Sequence, residues 1–124
     1  MTRNIDRYFV ATGAVLGIIG MAMGIVMGVS QDFTLSPVHA HINLVGWVSM
    51  VLFGLAYRGD FAPRDLWAAG HYWIGLVGAV LLPTGIFLAI TREHPALAIL
   101  GSLFTLASMV LFLVNVLRGA RAKS

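Results

Sequence analysis

The chain has no cysteine, and only 10% of its residues are charged. The first absence excludes disulfides, thiolate metal sites and cysteine nucleophiles. The second sets it apart from soluble domains, where about a quarter of residues carry charge. No glycine loop for phosphate is visible, and no nucleophile–base pair. The acidic residues Asp6, Asp32, Asp60, Asp65 and Glu93 fall in loops or tails. Nor is there an internal repeat or a low-complexity linker. The basic residues are scattered over short segments rather than gathered in one patch, so nothing points to nucleic acid. What is abundant is apolar surface. Of 124 residues, 59% are hydrophobic, more than a soluble domain of this length can bury.

That excess is arranged in four runs, about 8–29, 38–57, 66–90 and 96–117. Each approaches the ~20 residues that cross a hydrocarbon core. Without water each run must satisfy its own backbone, so the expected fold is all-α. It is a single domain, 1–124, of four transmembrane helices in membrane lipid. The first run is too long and too glycine-rich for a cleaved signal peptide, and reads as a retained helix. Pro37 suits a first helical turn, and Pro95 likewise starts the fourth run. Gly59, Asp60 and Pro63 mark a turn. Pro83 lies inside the third run and is expected to kink it.

Orientation follows from the basic residues. Arg3, Arg7, Arg58, Arg64, Arg118, Arg121 and Lys123 belong to one side, and Arg92 alone to the other. This bias predicts cytoplasmic N and C termini in a bacterial-type inner membrane. The loops 30–37 and 91–95 then face outward.

The first run carries Gly13-x3-Gly17 and Gly20-x3-Gly24-x3-Gly28. Small residues at this spacing let helices approach closely in lipid, either within one chain or between subunits. Gly75, Gly78 and Gly85 outline a second smooth face on the third run.

The chemistry concentrates at "SPVHAHINLVGW", residues 36–47. His39 and His41 stand two apart at the head of the second helix. Successive helical residues turn by about 100°, so the two rings point roughly 200° apart. One regular helix cannot bring both to one metal, because chelation from one helix uses i, i+4 spacing. The pair instead serves two sites, one on each side. Ionisable groups in a membrane are costly and are functional candidates by default. The neighbours Leu44, Val45, Gly46 and Trp47 are apolar, and Gly46 leaves room for a flat group. An iron porphyrin asks for imidazole above and below and for apolar walls.

The stretch "SPVHAHINLVGWVSMVLFGLAYR" resembles a helix of subunit I in the heme–copper oxidase superfamily, especially the nitric oxide reductase branch. There a His-x-His pair ligates two hemes on opposite sides of one helix. The next segment, "GHYWIGLVGAVLLPTGIFLAI", is similar to the following helix of that branch. The resemblance covers about residues 36 to 90. Family subunits have twelve helices in three arcs of four, together with three copper-ligand histidines and a cross-linked tyrosine. This chain has four helices and only His39, His41, His71 and His94. The resemblance therefore implies a unit reduced to one arc, which assembles as a homo-oligomer: a trimer forming an oxidase-like ring or, as a close variant, a dimer with hemes between subunits. His39 of one subunit and His41 of the next would hold one heme b. Oxygen or nitric oxide reduction by the family mechanism is not expected. Electron transfer or another heme redox role is, with an external redox partner. The resemblance also assigns Arg92 to a heme propionate.

Asn43 is a candidate to orient a ligand or to bridge helices, and Trp47 to pack on a porphyrin or in lipid. Met21, Met23 and Met27 offer copper-compatible thioethers but read as core filling. His94 reads as a surface residue. Asn115 and Ser108 read as helix contacts. His71 should lie about 27 Å from the His39 level, in an interfacial aromatic belt with Tyr72 and Trp73. Two other classes stay open: a copper- or heme-handling assembly factor, and a cofactor-free accessory subunit of a respiratory oxidase.

Overall fold

The computed structural model describes residues 1–121; Lys123, counted above among the basic residues, lies outside the described residues. These are helical almost throughout and contain no strand. After a 3₁₀ turn at Thr2–Asn4, α1 runs Ile5–Ser30, α2 Ser36–Arg58, α3 Leu66–Arg92 and α4 Ala96–Arg121. All four are long and apolar enough to cross a membrane, which makes the chain a multi-pass membrane protein. α3 continues through Pro83, whose ring is buried. Where the helices outrun the apolar runs, as at residues 5–7 of α1 and 118–121 of α4, the added residues include charged ones. Asp6, placed in a tail by hydropathy, belongs to the first turn of α1, where an acid suits the helix dipole. It is buried, and the Arg58 guanidinium reaches its carboxylate at 3.4 Å, joining the start of α1 to the end of α2.

The turns are short. Gln31, Asp60 and Glu93 take left-handed backbone conformations, one in each connection. Asp65 caps α3, accepting from the N–H groups of Trp67 and Ala68. Sequential helices are therefore neighbours. α1 packs on α2, α3 on α4, and α2 also lies against α3.

Two glycine seams bring the backbones together. A methyl group added at Gly13, Gly17, Gly20 or Gly24 would stand 2.5–2.9 Å from Val51, Trp47, Asn43 or His39 in turn. The first stripe is thus filled by α2 of the same chain, except at Gly28, which has nothing near it. The second smooth face is filled likewise: Gly75, Gly78 and Gly85 meet Ser108, Thr105 and Ala98 of α4. Both stripes are packing surfaces within the chain.

The α2 partners of the first seam, His39, Asn43, Trp47 and Val51, recur every four residues. An α-helix, at 3.6 residues per turn, would rotate such a ladder off its partner. α2 does not stay α-helical: Ile42–Ser49 is wound as a π-helix, with more residues per turn, and the ladder stays on α1. The sequence predicts a regular helix here. The underwinding shows only when the partner glycines are known.

The core is lopsided. Ile5, Phe9, Phe53, Tyr57, Ala68 and Tyr72 cluster at the end that carries the termini. At the other end α1, α2 and α3 part around an open apolar groove of about 400 Å³, lined by Leu16, Val38, Ile42 and Phe87 among others.

Glycine positions separate by what they face. Gly101→Ala presses a methyl group onto the Leu82 backbone. It should lower stability by about 1–3 kcal/mol. Gly28→Ala meets nothing and should gain up to about 1 kcal/mol from helix propensity. Thermal unfolding in detergent, followed by far-UV circular dichroism, reads both.

Candidate functional site

Two polar centres lie at opposite ends of the bundle. The first is the histidine pair in the opening turns of α2. His39 lies in the α1–α2 seam, its Cε1 2.8 Å from where a Gly24 side chain would begin. Its Nδ1 is 2.8 Å from the Gly20 carbonyl of α1. A carbonyl only accepts, and this contact is shorter than the 3.3 Å from the Asn43 amide nitrogen to the same ring atom, so in the neutral ring Nδ1 carries the proton and Nε2 keeps a lone pair. His41 behaves alike on its own helix: Nδ1 donates to the Pro37 carbonyl at 2.7 Å. Its Nε2 also keeps a lone pair. Both rings are therefore held in the tautomer that a metal-binding imidazole needs, each with its other nitrogen on a backbone carbonyl. They are anchored on different supports, one across the seam and one on the flank of α2. Both are half-buried.

Asn43 sits one turn below His39. Its Nδ2 donates to the His39 carbonyl at 2.9 Å, and its amide rests on Gly20. It braces the turn that carries the imidazole. The Trp47 indole lies against Gly17, so that contact is packing within the chain. Arg92 is exposed at the last position of α3, and His94 is exposed just beyond it. Both are at the same end of the bundle as the pair. Among the described residues, no three of His, Cys, Asp and Glu come together as a metal cluster. Each histidine by itself leaves one ring nitrogen without a backbone partner.

The second centre is the end that carries the termini, where sequence reasoning places only an interfacial His71. His71 is instead completely buried, with its ring 4.9 Å from Phe9, 4.6 Å from Phe53 and 5.8 Å from Phe112. The reason is topology: the third helix is covered here by all three others.

From His71 a chain of hydrogen bonds leads outward, and its direction is determined. Arg118 has only donors, so Asn115 Oδ1 accepts from it at 3.0 Å. Asn115 Nδ2 then donates to the Tyr57 hydroxyl at 2.9 Å. Tyr57 has its own proton left for His71 Nδ1, 3.0 Å away. The His71 proton must sit on Nε2, which has no hydrogen-bond partner. The other end is anchored by Arg118 on Asp65 at 2.6 Å, with the guanidinium also 5.1 Å from the Trp67 ring centre. Burial alone would raise the Asp65 carboxyl, but Arg118 and the two capping N–H groups outweigh it and hold it below the usual range. A signal for this centre exists in the sequence. Tyr57, His71 and Asn115 fall at one depth once antiparallel order is assumed.

Tyr57→Phe leaves His71 Nδ1 and Asn115 Nδ2 unpaired and should cost about 1–3 kcal/mol. Tyr8→Phe, at an exposed site, serves as the control in the same thermal unfolding assay. Asp65 adds a pH dependence. Its folded-state value is depressed, so its contribution is full above the unfolded value near 3.8 and is lost as pH falls through the lower folded value. Asp65→Asn should flatten the acid limb of a stability–pH curve. No known family model matches this sequence, and no curated protein or solved structure is similar to it.

Proposed function

We propose that this chain is a small membrane b-type cytochrome that binds heme through His39 and His41 and works in electron transfer or heme redox. One observation carries the reading. Both imidazoles give Nδ1–H to a backbone carbonyl and keep Nε2 as a ligand atom, on two different supports. Heme, when bound, supplies a one-electron redox couple, and two imidazole ligands leave it no open position.

The chain's own residues do the rest. Gly24 leaves space beside the His39 ring, and Asn43 braces the turn beneath it. The apolar groove walled by Val38 and Ile42 gives the pair a water-poor neighbour. Arg92 is the cation at that end and suits a propionate. Since one chain offers one imidazole to each side, the reading requires a second chain for each heme. A homotrimeric ring in a bacterial-type inner membrane, with both termini inside, meets that requirement.

The test is a reduced-minus-oxidised visible spectrum of the purified protein, with a pyridine hemochromogen assay. A sharp reduced α band and about one b heme per chain are expected. His39→Ala and His41→Ala should each lose heme. Full heme retention in both single variants overturns the reading, and a heme-free protein from heme-replete cells does so too.

A further inference from the structure

Ser108 presents a different problem. Its hydroxyl lies on α4 facing Gly75 of α3; it is buried, and no protein group hydrogen-bonds to it. Burying a hydroxyl without a partner costs free energy. Beside it is a cavity of about 20 Å³ between α2, α3 and α4, also lined by Ser49 and Thr105. That volume admits one water and nothing larger, since about 10–15 Å³ is the minimum for one.

The two neighbouring hydroxyls are already committed in a useful way. Ser49 Oγ donates to the Leu44 carbonyl at 2.8 Å, within the π-wound stretch. Thr105 Oγ1 donates to the Gly101 carbonyl at 2.9 Å. Each has spent its proton and can only accept. Ser108 still has a proton to give.

We infer that this cavity binds one structural water. Its two protons go to Ser49 Oγ and Thr105 Oγ1, and its oxygen accepts from Ser108 Oγ. The three bonds are the usual complement of a buried water. The water ties the π-wound part of α2 to α4 past Gly75, where a side chain on α3 would close the site. His71 does not line the cavity and is separated from it by Phe53. The site is therefore independent of the histidine pair and of any heme.

Infrared spectroscopy of the full chain in lipid, compared in H₂¹⁶O and H₂¹⁸O, tests this. The expected result is an isotope-shifted O–H stretch of a tightly held water, lost in Ser108→Ala. Thermal unfolding adds a sign. If the water is present, Ser108→Ala lowers the midpoint, and its effect is non-additive with that of Thr105→Val, because the two share one partner. If the cavity is dry, Ser108→Ala removes an unsatisfied hydroxyl and raises the midpoint. Absence of an isotope-sensitive band from the unaltered protein overturns the inference, whichever way the midpoint moves. So does a band that survives in Ser108→Ala.

Discussion

Close approach of helix backbones is the constraint from which the remaining structure follows. Lipid tails are as apolar as leucine, so burying apolar surface gives little drive for one helix to leave lipid for another. Shape and small residues must supply it. α1 offers Gly13, Gly17, Gly20 and Gly24, and α2 answers with Val51, Trp47, Asn43 and His39. Because the α2 ladder has a period of four, the helix unwinds into a π segment to follow it. The same seam uncovers the Gly20 carbonyl, which then fixes the His39 ring. Packing of the seam and orientation of the His39 ring are thus one arrangement. A side chain at Gly24 would displace the imidazole that the carbonyl holds.

The two ends of the bundle are built on different principles. The end with the termini is closed by aromatic rings around His71 and by a directed chain of hydrogen bonds that ends on the Arg118–Asp65 ion pair. Each link determines the next, because arginine cannot accept and the amide and hydroxyl must divide their roles. The other end is open. It holds the histidine pair beside an apolar groove, with the helices parted. One end is thus closed by aromatic packing around His71, and the other stays open around the groove.

The four spans, their order and the diverging histidine pair can be read directly from the sequence. Hydropathy reports depth in the membrane, and a separation of two residues sets an angle on any α-helix. The pair lies just before the π segment, with its two rings bonded to different backbone carbonyls. Helix ends and partners read less well. Asp6 looks like a tail residue by hydropathy yet is buried in α1, because an ion pair with Arg58 makes burial of the charge tolerable. Trp47 reads as packing either on a porphyrin or in lipid, and the partner its indole meets, Gly17, is not legible locally.

The deepest difference concerns His71, Tyr57, Asn115 and Ser108. They lie on three different helices, and no local pattern announces that they share the bundle interior. By itself the sequence determined how many times the chain can cross a membrane, where the helices turn, and that His39 and His41 stand two apart at the head of one helix. Each of these depends on residues close together along the chain. Only the tertiary structure decided which faces meet, which tautomers result, and which hydroxyl is left without a partner. Those depend chiefly on contacts between residues on different helices, such as His39 with Gly20, Tyr57 with Asn115 and Asp65 with Arg118. Hydrogen-bond direction, unlike hydropathy, has meaning only once both partners are in place.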